Sequence, residues 1–322
     1  MDYKPIILEN LEVMRLGDEI RGEHFSSRAY ESAKKKLLAF PRPIQKVADI
    51  DELGLGTKIK AKVKEIIETG SLGAAERTKK ELNIDLYRSL LKVHGIGPAK
   101  AKDLVETHKI KSLDELKGKQ NLLTNAQKVG LKYYDDIEIR IPRDEMLAHE
   151  STMEAIIPAN SKGKVVGSYR RGAETSGDID FLLTFDLSVS SKDQKRKFKE
   201  MIEFMEEVKY LKATLALGDK KFMGVVQIAD DLPARRIDIL LCPPEEYAYS
   251  VLYFTGSDVF NVALRKHALT LGYSLNEHIL KKMKEDVVDI PEMKTEKDIF
   301  KFLGVKYMKP SERNTTELKL VK

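Results

Sequence analysis

Three aspartates on two short apolar runs constrain the fold most strongly. Residues 177–183 read GDIDFLL, and residues 236–240 read RIDIL. Short aliphatic runs of this length are typical of buried strands. Because alternate side chains of a strand share a face, Asp178 and Asp180 are expected to project together. If the strand that carries Asp238 pairs beside them, three carboxylates converge on one spot.

Three such carboxylates repel one another, so a cluster of this kind is usually relieved by divalent cations. Oxygen ligands with no nearby Cys or His favour Mg²⁺ or Mn²⁺ over zinc. Two ions held close together suit in-line phosphoryl or nucleotidyl displacement. An isolated Asp-x-Asp is more often a pair of solvated acids at a strand end, and the residues that precede this one argue against that reading.

The segment just upstream, residues 167–172, reads GSYRRG and suits a phosphate-binding turn. Glycine permits close backbone approach, Ser168 offers a hydroxyl, and Arg171 offers a planar fork that neutralises phosphate. An anion-binding turn beside a carboxylate metal site fits metal–triphosphate chemistry.

A repeated glycine pattern organises the N-terminal half. Gly54 and Gly56 enclose one apolar residue, and Gly95 and Gly97 do the same. Each pair lies between helical stretches, where backbone N–H groups open a helix and attract anions. The spacing resembles the helix-hairpin-helix motif, which binds the DNA backbone without reading its sequence, and two copies in the same context favour that function.

Lysines surround an apolar stripe after the first glycine pair. Four residues at helical spacing predict a buried face: Ile59, Val63, Ile66 and Ile67. Four lysines surround that face: Lys58, Lys60, Lys62 and Lys64. Two interpretations stay open from the residues alone. The helix either holds phosphate as a solvated basic surface, or it carries a lysine nucleophile whose free amine is favoured by neighbouring positive charge.

A turn at residues 255–257 predicts the N-cap of a helix from Asp258 towards Leu271. The polar face of this helix is expected to carry Asp258, Asn261 and Arg265. Its apolar face is expected to carry Phe260, Leu264, His267 and Leu271. The spacing alone indicates an ordinary amphipathic helix, yet an acid, an amide and an arginine in one line suit a surface that meets a base pair edge-on.

Composition argues against a disulfide-bonded, zinc-binding or membrane-spanning protein. The chain has 322 residues, a net charge of +5 and one cysteine, Cys242, which excludes an internal disulfide. The six histidines show no paired spacing, which argues against a zinc site. No apolar run approaches a membrane span, and the first residues lack the apolar core of a signal peptide. Local lysine clusters can form a track for a polyanion.

Residues 167–172, 177–180 and 236–238 together resemble the nucleotidyltransferase signature of the family X DNA polymerases. Residues 253–258 (YFTGSD) and 140–143 (RIPR) narrow the resemblance to the polymerase beta type within that family. The likeness runs in order from about residue 10 to about residue 310.

This resemblance implies roles for individual residues. Asp178 and Asp180 bind two metal ions, and Asp238 binds the catalytic ion and accepts the proton of the primer 3′-hydroxyl. Lys62 matches the nucleophile of a 5′-deoxyribose-phosphate lyase. Nucleotide binding is implied for Arg140, Ser168, Arg171, Gly177, Tyr253, Phe254, Gly256, Asp258 and Asn261. DNA binding is implied for Lys58, Tyr30, Gly54, Gly56, Gly95, Gly97, Lys221, Arg236 and Arg265. The hairpins resemble sites for Na⁺ or K⁺ that bridge backbone carbonyls to a DNA phosphate.

Several residues depart from the family pattern. Phe25, Ser26 and Ile50 stand where basic residues of a 5′-phosphate pocket are expected, so the lyase is predicted to hold its phosphate weakly. Val262 and His278 replace a lysine and a tyrosine beside the nucleotide-selecting helix, which is expected to affect template stacking and closure.

The expected fold class is multidomain α and α+β. Helical N-terminal domains with two helix-hairpin-helix motifs precede a nucleotidyltransferase-type α/β palm and a small α/β C-terminal domain. The expected bounds are 1–86 for a lyase domain, 87–147 for a second DNA-binding domain, 148–249 for the palm and 250–322 for nucleotide selection.

The expected function is template-directed filling of short gaps in base excision repair. Expected partners are gapped or nicked DNA, deoxynucleoside triphosphates and other base-excision-repair proteins, with a monomeric chain and no membrane. A nuclear setting is expected, with a mitochondrion or a virus-associated cytoplasmic site as alternatives. Two other functions stay open: a template-independent terminal transferase, and a non-enzymatic scaffold that binds gapped DNA. The lack of a long insertion in the catalytic region argues against the first, and the presence of all three aspartates argues against the second.

Overall fold

The structure is a computed structural model that describes residues 1–321. The chain divides into two compact units, Met1–Leu131 and Lys132–Lys322. The first is helical and the second combines helices with a mixed sheet, so the predicted fold class is confirmed. No helix within residues 1–321 is long and apolar enough to cross a membrane.

The first unit is built from helices, and those before residue 93 contribute residues to one apolar core. In chain order the helices are α1 (Lys4–Arg21), α2 (His24–Ala39), α3 (Thr57–Thr69), α4 (Gly73–Glu81), α5 (Ile84–Lys92), α6 (Pro98–Lys102), α7 (Leu113–Gly118) and α8 (Asn125–Lys132). A 3₁₀ segment, Val47–Leu53, precedes α3. The stripe predicted on α3 is confirmed, because Ile59, Val63 and Ile66 are buried and Ile67 packs against them. Burial of this stripe turns the lysines of α3 outward.

The first part of the second unit, residues 132–241, contains a five-stranded sheet and a two-stranded sheet of β1 and β3. In chain order its elements are α9 (Tyr134–Glu138), β1 (Ile141–Pro142), α10 (Arg143–Ile156), β2 (Ser161–Val165), α11 (Gly167–Arg170), β3 (Thr175–Ser176), β4 (Ile179–Phe185), α12 (Ser191–Glu207), β5 (Leu211–Leu217), β6 (Lys221–Val226) and β7 (Arg235–Leu241). The strand order is β2-β4-β7-β6-β5, and β4 and β7 run parallel while the other pairs are antiparallel.

Alternation along β4 and β7 separates two faces of this sheet. Ile179, Phe181, Ile237 and Ile239 are buried and belong to one apolar core with residues of α10 and α12. Asp180 and Asp238 lie on the opposite face because they occupy the intervening positions. The period of two therefore turns both acids away from the core.

The chain ends in a smaller helical layer with its own core. Its elements are α13 (Tyr247–Thr255), α14 (Asp258–Thr270), β8 (Tyr273–Leu275), β9 (Leu280–Lys282) and α15 (Glu296–Phe302). Ser257 caps α14 by accepting a hydrogen bond from the backbone N–H of Phe260, as the turn at residues 255–257 predicts. One expectation for this helix is wrong. Leu271 lies past its end and is 40% exposed, so it takes no part in the apolar face.

Candidate active site

Parallel pairing of β4 with β7 brings two of the three aspartates side by side. Asp180 is the register partner of Asp238, so their carboxylates start from neighbouring positions on one sheet face. Asp178 lies one residue before β4 begins at Ile179, and it is therefore not a strand residue. The structure thus brings all three acids to one end of β4, although only two of them sit on strands.

Two basic side chains neutralise this acidic cluster. Arg236 donates a hydrogen bond to Asp178 at 2.8 Å and another to Asp238 at 3.2 Å. Lys221 places its ammonium 3.5 Å from the second oxygen of Asp238. Both residues were expected to bind DNA, and that expectation stays a prediction. In this structure their charges compensate the carboxylates.

Asp180 is the least compensated of the three acids. Burial, followed by the charges of Asp178 and Asp238, raises the pKa of Asp180 to about 7. Burial also raises the pKa of Asp178, while the nearby Arg236 acts in the opposite direction. A carboxylate with a raised pKa between two like charges indicates a place where additional positive charge is stabilised.

The donor set fits a hard divalent cation. All the clustered ligand atoms are carboxylate oxygens, which Mg²⁺ and Mn²⁺ prefer. Within residues 1–321, no group of three or more His, Cys, Asp or Glu side chains is placed so that it could hold a metal ion without moving. Asp178 and Asp238 are instead paired with the guanidinium of Arg236.

The predicted phosphate-binding turn lies directly against Asp180. Gly167 opens α11 with a φ of 61°, and a Cβ atom there would lie 2.5 Å from Oδ2 of Asp180. The backbone N–H of Val166 donates to the carbonyl of Asp180 at 2.9 Å. Ser168 donates to the hydroxyl of Ser176 at 3.1 Å. The turn and the acid are therefore one structural unit.

Helix α10 supports this turn from behind. Arg143 donates to the backbone carbonyls of Tyr169 and Ala173, at 3.0 and 3.1 Å, and its guanidinium lies 4.6 Å from the centre of the Tyr169 ring. The hydroxyl of Tyr169 donates to Glu150 at 2.7 Å. Burial, with the Glu150 carboxylate, raises the pKa of Tyr169 to about 12.

Arg140 lies at the edge of the same region. Its Nε donates to the hydroxyl of Thr175 at 2.7 Å, and its Nη2 donates to the Thr175 carbonyl at 2.6 Å. A Cβ atom on Gly177 would lie 3.9 Å from its Nη1. The structure therefore brings Arg140 and Gly177 together, two residues that were both expected to bind the triphosphate.

The two arginines of the turn reach the C-terminal layer. Arg171 donates to the carbonyl of Thr255 at 2.7 Å and to Asn314 at 3.0 Å. Arg170 forms a two-pronged ion pair with Glu296, whose Oε1 also accepts from Arg313 at 2.6 Å. The fork of Arg171 was expected to face phosphate. Here it ties the turn to the end of α13.

The residues expected to select the nucleotide cluster around α13 and α14. Asn261 donates to the carbonyl of Tyr253 at 2.7 Å, and the rings of Tyr253 and Phe254 meet edge to face, with centres 5.2 Å apart. Gly256 has a φ of 56°, and a Cβ there would lie 3.7 Å from Nη1 of Arg171. Exposed Arg265 lies further along α14, two turns after Asp258.

Both glycine pairs form the predicted hairpins. Gly54 and Gly95 have left-handed backbones, with φ of 54° and 79°, while Gly56 and Gly97 are the N-caps of α3 and α6. The carbonyl of Gly95 accepts a hydrogen bond from Gln127 at 2.8 Å.

The expected lyase pocket is less basic than the resemblance implies. Lys62 is partly exposed on α3. Tyr30 is 6% exposed, and burial, with Asp18 nearby, raises its pKa to about 12. Ser26 donates to Asp18 at 2.5 Å, and Phe25 is 90% exposed. Ile50, the third position where a basic residue was expected, is 1% exposed and belongs to the apolar core. None of the three positions therefore adds positive charge to the pocket.

Several curated proteins resemble this chain. DNA polymerase lambda of Rattus norvegicus is 30% identical over 97% of this chain and 56% of its own length. DNA polymerase lambda of Arabidopsis thaliana is 31% identical over 91% of this chain and 59% of its own length. The DNA polymerase type-X family protein pol4 of Schizosaccharomyces pombe is 27% identical over 95% of this chain and 63% of its own length. The chain therefore spans less than two thirds of each of these relatives.

Three family models match successive parts of the chain. The fingers domain of DNA polymerase lambda matches residues 88–138, the DNA polymerase beta palm matches 140–244, and the DNA polymerase beta thumb matches 250–314. The chain belongs to the family X DNA polymerases. The narrower expectation of the polymerase beta type is corrected by the relatives, since two of the three named above are lambda polymerases.

For a family X chain, the sequence motifs located the acids and the turn but missed the side chains that hold them. Arg143 is part of the RIPR motif, and no sequence motif includes Glu150, Glu296 or Arg313. Arg143 follows a proline at the start of an amphipathic helix, which is a weak signal for a structural arginine. The other three had none, because their partners lie 17 to 126 residues away.

Proposed function

We propose that this chain is a template-directed DNA polymerase that fills short gaps in base excision repair. One observation carries the proposal: Asp180 lies opposite Asp238 on parallel strands, with Gly167 of a phosphate-type turn packed against the Asp180 carboxylate. Membership of family X and the lambda-type relatives favour the same chemistry.

Asp178 and Asp180 are the residues that would bind two divalent ions, and Asp238 would bind the catalytic one. When bound, Mg²⁺ or Mn²⁺ supplies activation of the primer hydroxyl and neutralises charge on the departing pyrophosphate. Arg236 and Lys221 hold the same carboxylates in this structure, so these two basic residues must release them for the ions.

Asp238 is the proposed proton acceptor. It takes the proton of the primer 3′-hydroxyl, whose oxygen then forms a bond to the α-phosphorus of the nucleotide. The bond from that phosphorus to the bridging oxygen breaks, and pyrophosphate leaves with the electron pair. Ser168, Arg171 and Arg140 stabilise the charge that develops on it, together with the backbone at Gly177.

Arg171 must change partners to take this role. Its guanidinium is bound to Thr255 and Asn314, and burial lowers its pKa.

Nucleotide selection is assigned to the neighbouring surface of α13 and α14. Tyr253, Phe254, Gly256, Asp258 and Asn261 would contact the incoming nucleotide, and Arg265 the template strand.

The second proposed activity is a 5′-deoxyribose-phosphate lyase on α3. The amine of Lys62 adds to the C1′ aldehyde with loss of water, and a base then removes a C2′ proton from the resulting imine. The C3′–O bond breaks, and the downstream strand leaves with that oxygen on its 5′-phosphate. Water then hydrolyses the imine that remains and frees the amine of Lys62. Lys58 and Tyr30 would line the pocket. The pairing of Ser26 with Asp18 leaves this pocket short of positive charge, so weak phosphate binding is expected.

We propose four functional parts along the chain: a lyase domain over 1–86, a second hairpin domain over 87–147, a palm over 148–249 and a nucleotide-selection domain over 250–322. The second part crosses the boundary between the two compact units, which lies between residues 131 and 132. Gapped or nicked DNA and deoxynucleoside triphosphates are the proposed substrates, with Na⁺ or K⁺ as a further ligand of the hairpins. Repair proteins as partners, a monomeric chain and a nuclear setting are proposed on the same resemblance.

One substrate tests both activities. It is a single-nucleotide-gapped duplex with a 5′-deoxyribose-phosphate flap, incubated with Mg²⁺ and the four nucleotides. Gap filling together with flap release supports both assignments. Gap filling alone refutes the lyase, and the absence of both refutes the proposed function. Equal extension of a single-stranded primer without template would indicate a terminal transferase instead.

A further inference from the structure

Tyr169 is held at both of its ends by one face of helix α10. Arg143 donates to its backbone carbonyl at 3.0 Å, and the guanidinium lies 4.6 Å from the centre of its ring. At the far end of the ring, the hydroxyl donates to Glu150 at 2.7 Å. Arg143 and Glu150 are about two helical turns apart, so their side chains leave the same face of α10. Tyr169 can therefore shift along α10 only if these contacts break.

The residues just before Tyr169 are the ones that the proposed function uses. Ser168, a proposed triphosphate ligand, precedes Tyr169 directly and donates to Ser176 at 3.1 Å. Gly167 lies against the carboxylate of Asp180 with no room for a side chain. Each residue has only two soft backbone torsions, so a shift of Tyr169 moves Ser168 relative to Asp180.

The contacts of Tyr169 are built to persist. The residue is 5% exposed, and burial, with the Glu150 carboxylate, raises its pKa to about 12. The hydroxyl therefore stays protonated and remains a donor at neutral pH. Arg143 also donates to the carbonyl of Ala173 at 3.1 Å, so α10 holds the turn on both sides of residues 170–172.

We infer that the hydrogen bond from Tyr169 to Glu150, with Arg143 as the second anchor, positions Ser168 for the triphosphate and thereby sets the affinity for the incoming nucleotide. The three side chains act through the turn, so they are positioning residues and not catalytic ones. This inference rests on the proposed polymerase function. It assigns to α10 a part in nucleotide binding that the sequence motifs of the turn and the aspartates do not contain.

Steady-state gap filling at a series of nucleotide concentrations tests this role. Tyr169→Phe removes only the hydroxyl and should raise the nucleotide KM roughly tenfold, as expected for a lost hydrogen bond to a charged group. The kcat should stay within about twofold, because a triphosphate contact made before and during the reaction contributes equally to both states. Glu150→Ala should match Tyr169→Phe, and Glu150→Gln, which keeps an acceptor for the hydroxyl, should retain the wild-type KM.

Tyr210→Phe is the matched control for a loss of stability. Tyr210 is also 5% exposed, and its hydroxyl is hydrogen-bonded at 2.7 Å to His149, the neighbour of Glu150 on α10. This variant should lower the midpoint of urea unfolding about as much as Tyr169→Phe, yet leave the nucleotide KM unchanged.

A double variant separates the hydrogen bond from its two partners. Tyr169→Phe combined with Glu150→Ala should have the KM of either single variant, because both changes remove the same bond. A wild-type KM in Tyr169→Phe, an equal rise in Tyr210→Phe, or multiplied effects in the double variant would each overturn the inference. Failure of the wild type to fill the gap would instead refute the proposed function, and the inference with it.

Discussion

Gly167 leaves space that the carboxylate of Asp180 fills. An added Cβ would lie 2.5 Å from Oδ2 of Asp180, and the backbone φ of 61° disfavours any L side chain. The phosphate-type turn can approach the acid only because residue 167 has no side chain.

Gly167→Ala should therefore displace the turn or the carboxylate. We expect gap-filling kcat to fall roughly 100-fold, as misplacement by about 1 Å can cost that much, with DNA affinity unchanged. Gly304→Ala is the control, because Gly304 has a similar φ of 64° and no atom within 4 Å of an added Cβ. Equal losses of activity in both variants would mean that backbone strain, and not the contact with Asp180, causes the effect.

Glu296 is the buried link between the turn and the C-terminal layer. It pairs with Arg170 and Arg313, which is 0% exposed. Glu296→Gln leaves the buried guanidinium of Arg313 and the partly buried guanidinium of Arg170 without their counter-charge. It should therefore cost about 3–5 kcal/mol of unfolding free energy. Urea denaturation measures this cost. Glu292→Gln breaks an ion pair with Lys294 on the surface and should cost less than about 1 kcal/mol. Similar midpoints for the two variants would contradict a structural role for Glu296.

His149 should make stability depend on pH. It is fully buried and bonded to the hydroxyl of Tyr210, and burial lowers its pKa to about 4, against the neighbouring charge of Glu145. The unfolded chain takes up this proton near pH 6.5, and the folded chain does not. The contribution of neutral His149 to the free energy of unfolding is therefore fully present above about pH 6.5. It is lost as the pH falls towards 4, and the total loss is about 3 kcal/mol.

Chemical denaturation at a series of pH values tests this origin. The wild type should lose more stability between pH 7 and pH 4.5 than His149→Gln, whose side chain does not titrate. Equal losses in the two proteins would show that other groups cause the pH dependence.

Lys62 should be the residue trapped in the lyase reaction. Borohydride reduction on an incised abasic site should give a covalent complex with the wild type and at least about tenfold less with Lys62→Ala. Lys64→Ala removes an exposed lysine of the same helix, which lies near Glu68, and should leave trapping intact. Undiminished trapping by Lys62→Ala would sink the assignment.

The sequence predicted the arrangement of the acids because a period of two is a local rule. The pattern predicted that Asp180 and Asp238 share a sheet face if their strands pair. In the structure these strands pair in parallel, and the two acids are register partners. Asp178 precedes the strand by one residue, yet its carboxylate still lies near those of Asp180 and Asp238.

The partners of the arginines could not be predicted. Arg171 carries a fork that suits phosphate, yet the structure places that fork on Thr255 and Asn314, more than 80 residues away in sequence. Lys36 likewise looks like one more solvated lysine in a basic helix, until the fold brings Gly54 beside it. Long-range contacts between common surface residues leave no periodic signal.

The most direct test of the account compares the wild type with Asp238→Asn in single-turnover gap filling with Mg²⁺. The substitution keeps the shape of the side chain but removes the proposed metal ligand and proton acceptor. Asp219→Asn, on an exposed acid that pairs with Lys195 and Lys199, is the control. We predict a loss of about 1,000-fold or more for Asp238→Asn, with DNA binding retained and the control unaffected. Gap filling by Asp238→Asn within tenfold of the wild-type rate would contradict the proposed role of the three aspartates.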